Sequence, residues 1–431
     1  MGSGVVLYWL KRDLRRVDNR ALAAAAALGR VMPFFVIDLD ILDEFGAYDG
    51  RLYFLLTALA RLSEEMPVYV FVGRTADVFH YLLEKYRPRA VVTASSLSWS
   101  GGARQRAAEK ICAERGVRFV EVFDNFLVDP RIGLPVSTFS AFWKRWRGMV
   151  DAEVAPVPQA AFYRADEPTW EDAAKKLSYK TGRFDARRVG EVFKYDFSRY
   201  GLLRDKLCCS TGLSPYIRFG VVSIRQVYAA GRVSEEFVRE LAWREYWYAL
   251  RFARPYMRDV ELNPRRRGLR WLNEHVDAFF RGETGYPIID AAVAQLKAEH
   301  WIHNRLRMLL ASFFTKDLLA DWRLGDAFFK KHLIDYDEVV DVGNWQWAAS
   351  VGVDYAVRVF NPVVQARRLD PRCEYIKRWL PQLSDIPCRC LQDPIRCRIP
   401  GYPPPVVDHR KARKRALEFY ARRSGAPGAG A

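Results

Sequence analysis

Long apolar runs are missing from this chain, and no stretch is long enough to cross a bilayer. No signal peptide is present, and the N-terminus runs directly into a strand-like segment. The expected location is therefore the cytoplasm, with no membrane contact. Histidine is scarce, at 6 residues, and no C-x-x-C pair occurs among the 7 cysteines. Both shortages argue against a zinc site. The cysteines are Cys208-Cys209 and the group Cys373, Cys388, Cys390 and Cys397, besides Cys112. Free thiols are expected, since intracellular disulfides are unusual outside hyperthermophiles; a Cys390–Cys397 bridge is the alternative. No G-x-G-x-x-G follows the first strand-like run, so the ordinary dinucleotide fingerprint is absent. No internal repeat is evident.

What is present is size, apolar mass and basic charge. The 431 residues allow two or three domains, and 50% hydrophobic with 14% aromatic residues allows large cores. The net charge of +17 is unevenly spread. Residues 1–125 carry 17 basic and 15 acidic side chains, and the remainder carries 51 and 36, so +15 of the excess lies after residue 125. That asymmetry suits a polyanionic partner, nucleic acid before membrane; the competing explanation is a solubilising arginine-rich surface.

Short β-branched runs at 5–10, 31–38, 68–73, 90–95 and 117–122 alternate with helical patterns at 19–28, 51–64, 75–86 and 104–115. Strands alternating with helices predict a doubly wound parallel sheet, an α/β domain over 1–125. The turn after the first strand, from Lys11 to Asn19, reads as salt-bridged, with Asp18 or Asn19 capping a helix. Residues 126–190 are broken by five prolines and read as a connector with short helices. Helical patterns dominate 191–423, and 424–431 is a Gly/Ala tail expected to be disordered.

The densest chemistry lies between Trp301 and Trp347. A helix is expected from Trp301 onward, with Leu306, Leu309, Leu310 and Phe313 as its apolar stripe. Trp301, Asn304, Arg305 and Met308 share another face. Asp335, Asp337 and Asp341 follow, then Trp345 and Trp347. Upstream, Glu240, Trp243, Arg244 and Trp247 fall on one helical face. Aromatic planes, amides and clustered carboxylates suit a flat ligand with polar edges. Taken singly, each element is as well explained by a core tryptophan or a solvated acidic loop.

These residues stand in motifs that resemble the DNA photolyase/cryptochrome family, and within it the enzymes that repair cyclobutane pyrimidine dimers. The motifs are LYWLKRDLRRVDNRAL, ELAWREYW, TGYPIIDAAVAQL, WIHNRLRM, DWRLG, GNWQWAAS, RVFNP and YPPPVVDHRKAR. The resemblance spans nearly the whole chain. It implies an α/β N-terminal domain, an all-α C-terminal domain holding FAD, and light-driven electron transfer to a lesion in UV-damaged DNA by a monomer. It assigns FAD contacts to Tyr200, Ser210, Thr211, Leu213, Ser214, Arg244, Trp301, Arg307, Asp335, Asp337 and Asp341. The family usually has Arg where Gly212 stands, so one cationic contact is missing from the phosphate loop.

The same resemblance gives Trp243 and Trp347 the two stacking faces a fused pyrimidine pair needs, Glu240 and Asn304 the base edges, and Met308 an apolar contact. Arg204, Arg305, Arg358 and Gln365 fall where the family meets the DNA backbone. Trp345, Trp322 and Trp271 resemble an electron relay running outward from the flavin, with Trp271 displaced by about two positions. Over Ser95–Arg106 no folate or deazaflavin binding set aligns clearly, so the second, antenna chromophore stays open, with a flavin or none standing equal to those two. The main departure is Asp341. Dimer photolyases carry Asn there, whereas plant-type cryptochromes carry Asp, which favours blue-light signalling as the rival function. A six-four photoproduct enzyme would need paired histidines where Asn304 and Met308 stand. A flavin-free DNA-binding protein is the rival from another class.

Overall fold

The structure is a computed structural model that describes residues 4–45, 49–178, 193–354 and 356–421. The 424–431 tail and part of the connector fall outside these residues. The chain divides into two compact units: Met1–Leu134, Ser140–Tyr200 and Thr211–Ala249 form one, and Pro135–Phe139, Gly201–Ser210 and Leu250–Ala431 the other.

The first unit is built on one parallel sheet. Its strands are β1 (Val5–Leu10), β2 (Arg30–Asp38), β3 (Tyr69–Gly73), β4 (Ala90–Ala94) and β5 (Arg118–Val122), in the order β3-β2-β1-β4-β5. Leu7 lies opposite Met32 on one side and Val91 on the other. All six β1 residues are buried, because helices cover both faces; this is why the strand reads as a continuous apolar run rather than an alternation. The helices are α1 (Arg20–Leu28), α2 (Asp49–Glu65), α3 (Thr75–Tyr86) and α4 (Trp99–Glu114). Trp9 of β1 meets Phe79 of α3 edge-on, with ring centroids 4.9 Å apart.

The turn after β1 is salt-bridged, as its composition implies. The Asn19 side chain accepts from Leu22 N at 2.8 Å and caps α1. Asp18 pairs with Arg225 at 2.7 Å, Arg225 with Asp124 at 2.6 Å, and Asp124 with Arg15 at 2.5 Å. Burial works against the Asp124 charge, but the two guanidiniums outweigh it and hold the carboxyl below its ordinary range. Gly220 adopts φ +67°, and a Cβ there would overlap the Arg12 carbonyl.

Helices make up the second unit. After α5 (Glu235–Ala253), which begins in the first unit, come α6 (Pro287–Glu299), α7 (Asn304–Ser312), α8 (Trp322–His332), α9 (Glu338–Ala348) and α10 (His409–Ala421). The helix expected from Trp301 starts at Asn304 instead. His303 Nδ1 accepts from Arg305 N at 3.1 Å and caps α7, which leaves Trp301 and Ile302 ahead of it. The expected stripe is buried: Leu306, Leu309, Leu310 and Phe313 are at most 1% exposed. The chain then widens into a π-helical turn, Phe313–Asp317. Lys316 and Arg266 donate to the carbonyls of Ala348 and Ser350, placing two basic side chains at the C-terminal end of α9. Gly325 of α8 leaves room for the Trp345 indole of α9, which a Cβ would overlap.

The cysteine expectation needs correction. Cys373–Cys388 and Cys390–Cys397 are disulfides, with Cα separations of 5.6 and 5.0 Å, and free thiols remain at Cys112, Cys208 and Cys209. Local folding brings the first pair together. Asp370 accepts from Tyr375 N and Ile376 N at 3.2 and 2.9 Å, and Gln392 Nε2 reaches back to the Asp370 carbonyl at 3.0 Å. Sequence spacing carries no sign of that fold-back.

Candidate functional site

The acidic residues after α8 serve different ends. Asp335 pairs with Arg307 at 2.8 Å. Burial opposes the Arg307 charge, yet Asp335 beside it raises the pKa further. Asp335 Oδ1 is buried and finds no hydrogen-bond partner among the described residues. A buried carboxylate oxygen left open costs free energy unless a ligand donor meets it. Asp337 caps α9, accepting from Val339 N at 3.0 Å and Val340 N at 3.3 Å. Asp341 accepts from Asp337 N at 2.9 Å. Burial pushes the Asp341 carboxyl well above its ordinary range; Asp326 adds to that and Arg307 opposes it. Asp341 is therefore the carboxyl of the three whose neutral form the surroundings favour.

A hollow in the second unit is lined by Met308, Ser312, Trp347, Ser350, Arg358 and Phe360, together with Ala348 and Ala356. Two of the sequence-predicted lesion residues, Met308 and Trp347, and one predicted backbone contact, Arg358, thus share one cavity. The Arg358 guanidinium lies 5.5 Å from the Trp347 ring centroid and pairs with Asp354 at 2.7 Å. Asn304, on the exposed side of α7, points its amide at Met308 Sδ at 3.8 Å. Arg305 pairs with Asp205 at 2.5 Å, and the other oxygen of Asp205 holds Arg368 at 2.5 Å. Gln365 sits one turn before Arg368 on the Pro362–Leu369 helix, and Arg204 directly precedes Asp205. Trp301 is half-buried.

In the first unit, α5 carries Glu240, Trp243 and Arg244 in half-buried positions. Trp243 lies 5.5 Å from Trp247, ring to ring. Arg244 stacks on Phe126 at 4.6 Å. The neighbouring Glu245 is fully buried and accepts from Leu127 N, Val128 N and Trp146 Nε1 at 2.6, 3.0 and 2.6 Å. Burial pushes the Glu245 carboxyl up to about 7, against the pull of Arg244 and these donors. Tyr200 packs edge-on against Phe237 at 5.1 Å. Thr211 Oγ1 accepts from Leu213 N at 3.4 Å, ahead of the short Ser214–Phe219 helix; Ser210 precedes it and is half-buried.

Of the three relay candidates, Trp345 and Trp322 are 2% and 1% exposed. Trp345 packs against Phe329 at 4.9 Å and Phe314 at 6.0 Å. Trp271 is half-buried and lies 5.5 Å from Phe419 of α10. None of the three indole N–H groups meets an acceptor among the described residues. Sequence reasoning gave no role to Arg323, whose guanidinium lies 4.6 Å from the Trp322 ring centroid, nor to Asp326 or Glu245. Adjacency in DWRLG and WREYW was the available signal; the partners that fix these side chains are distant in sequence.

At the end of β1, beside the point where the strand order reverses, Lys11 Nζ donates to Gln105 at 2.6 Å and lies 4.7 Å from the Trp9 ring. Burial pushes the Lys11 amine down to about 7.

Residues 6–161 match the family described as DNA photolyase, and residues 237–422 match the FAD binding domain of DNA photolyase. A deoxyribodipyrimidine photo-lyase of Alkalihalophilus pseudofirmus is 32% identical, over 96% of this chain and 97% of that protein. The one of Escherichia coli is 40% identical, over 96% and 98%. Among solved structures, an archaeal photolyase from Sulfolobus tokodaii with two FAD molecules superposes with a TM-score of 0.88 at 29% identity, covering 97% of this chain and 99% of that one. A Synechocystis cryptochrome shares the fold at a TM-score of 0.84 and 21% identity, with 97% and 99% covered.

Proposed function

Because this chain belongs to the DNA photolyase family, we propose that it is a deoxyribodipyrimidine photo-lyase that repairs cyclobutane pyrimidine dimers in UV-damaged DNA. The observation that carries the reading is the hollow where Trp347, Met308 and Arg358 meet. An indole face, a thioether and a guanidinium suit a flat, apolar-faced lesion attached to a phosphate backbone. Reduced FAD, when bound and excited by light, would supply the electron that opens the cyclobutane ring and would accept it back.

The residues around that chemistry divide by task. Asp335, with one oxygen on Arg307 and the other open, offers an acceptor to a donor on FAD. Arg307 and Arg244 supply positive charge to its phosphates, and Tyr200, Ser210, Thr211, Leu213, Ser214, Trp301 and Asp337 complete the cofactor set. Trp347 and Trp243 offer stacking faces, each worth about 1–3 kcal/mol per base. Glu240 and Asn304 offer hydrogen bonds to base edges, and Met308 fills space between. Arg204, Arg305, Arg358 and Gln365 hold the backbone, which positions the lesion without reading sequence. Trp345, Trp322 and Trp271 carry electrons inward from the surface. Residues 1–125 form the antenna domain, and the end of β1 beside Lys11 is where sheets of this winding take ligands, an antenna chromophore included. Residues 126–190 connect them to the FAD and DNA region, 191–423, and the protein acts as a monomer.

Asp341 is the observation that favours the rival, a blue-light signalling flavoprotein. A carboxyl there, its pKa raised by burial, can hold and give up a proton where the amide of Asn cannot. One experiment separates the two. Purified protein, reduced and illuminated with an oligonucleotide bearing one dimer, should restore the intact strand. Persistence of the dimer under those conditions would overturn repair and leave signalling.

A further inference from the structure

We propose that Arg323 tunes Trp322, keeping the middle tryptophan of the relay a point of transit rather than a resting place for positive charge. The inference rests on the relay reading above. Arg323 folds back over its neighbour so that Cζ lies 4.6 Å from the Trp322 ring centroid. It is pinned there by Asp321 at 3.1 Å, by Glu261 at 2.8 Å and by the Asp259 carbonyl at 2.6 Å. Trp322 is 1% exposed, and its indole N–H meets no acceptor among the described residues. Among the described residues, therefore, no acceptor stands ready for the proton of an oxidised Trp322, which stays a cation.

The sign of the effect follows from the charges. A guanidinium at this distance repels a cationic ring, with solvent screening only partial because Trp322 is buried while the Arg323 side chain is 35% exposed. Asp321 and Glu261 attract it, and Glu261 is only 5% exposed. With Arg323 in place the carboxylates are spent on the guanidinium, and the positive charge is driven off Trp322. Without it, the two carboxylates that pinned the guanidinium are left unopposed and favour the charge on Trp322.

The electrons balance as follows. A bound flavin excited by light would be the oxidant, and Trp345 would give up one electron to it. Trp322 refills Trp345 and Trp271 refills Trp322, each transfer moving one electron inward and one positive charge outward. An added thiol then reduces Trp271, which is half-buried and so open to solvent. Arg323 acts only on the middle step.

The test uses the full-length, flavin-loaded protein without DNA and follows tryptophan radicals by transient absorption after a laser flash. Arg323→Gln should lengthen the life of the oxidised middle tryptophan by about tenfold or more and lower the yield of the outer one correspondingly. Arg323→Lys, which keeps the charge, should return both toward wild type. Glu261→Gln should move the lifetime the opposite way, a sign that loss of packing would not produce. Should Trp322→Phe block photoreduction while Arg323→Gln and Glu261→Gln leave the radical kinetics within twofold of wild type, the tuning role is wrong and the relay stands. Photoreduction surviving intact in Trp322→Phe overturns the relay and the tuning together.

Discussion

Asp341 shows how much of a residue's behaviour lies outside its own identity. Its side chain is 9% exposed, and burial with Asp326 nearby raises its pKa well above the ordinary 3.8. A carboxyl that holds its proton in the folded state but loses it in the unfolded chain makes stability fall as pH rises. The fall begins above the unfolded value, near 4, and continues until the folded group itself ionises. In that window the slope is about 1.4 kcal/mol for each pH unit. Asp341→Asn removes this contribution. Urea unfolding of flavin-free protein between pH 4 and pH 7 should show the variant gaining on wild type as pH rises. A constant difference across that range would mean that Asp341 ionises normally. The sequence reveals Asp341 as a departure from the family's Asn. The rise in its pKa could not be read there, because it depends on burial and on a carboxylate 15 positions away in another helix.

Glu245 makes the complementary case of a buried carboxylate with three donors at 3.0 Å or less. Glu245→Ala leaves two backbone N–H groups and an indole N–H buried and unmet. The expected loss is about 3–5 kcal/mol, read by urea unfolding. A loss under about 1 kcal/mol would show that water replaces the carboxylate.

Between elements, the contact of α8 with α9 is decided by one missing side chain. Gly325 faces the Trp345 indole, and its Cβ would overlap three ring atoms. Gly325→Ala must displace Trp345 or part the helices. Overpacking of this kind costs about 1–3 kcal/mol. Near-ultraviolet circular dichroism should change with it, since Trp345 is 2% exposed and held by Phe329 and Phe314. An unchanged spectrum and unchanged stability would mean that the helices part without moving the indole. At this scale the sequence was informative wherever period alone decides. The five strands and α3 fall where β-branched runs and apolar spacing put them. The start of α7 escaped the reading because the period set by Trp301 continues through His303, whose side chain caps the helix instead of extending it. The disulfides escaped it because loop closure by Asp370 and Gln392 leaves no periodic trace.

Across the molecule, the basic excess bears on DNA, and part of it is already neutralised internally. Asp205 binds both Arg305 and Arg368 at 2.5 Å, so one carboxylate restrains two cations of the second unit. Each phosphate contact by a basic side chain releases counterions and steepens the fall of affinity with salt by about one unit of log slope. Asp205→Asn frees both guanidiniums without altering the size of the side chain. Binding of undamaged duplex should tighten at low salt, and the plot of log affinity against log salt should steepen by about one for each of the two arginines that meets a phosphate. Arg305→Gln in that background should remove its share of the gain. Arg358→Gln should lower the slope by a similar amount from a different place, since Arg358 is paired with Asp354 and lies outside the Asp205 cluster. Equal slopes for wild type and Asp205→Asn would show that neither arginine meets a phosphate. The +15 excess after residue 125 would then serve solubility rather than binding.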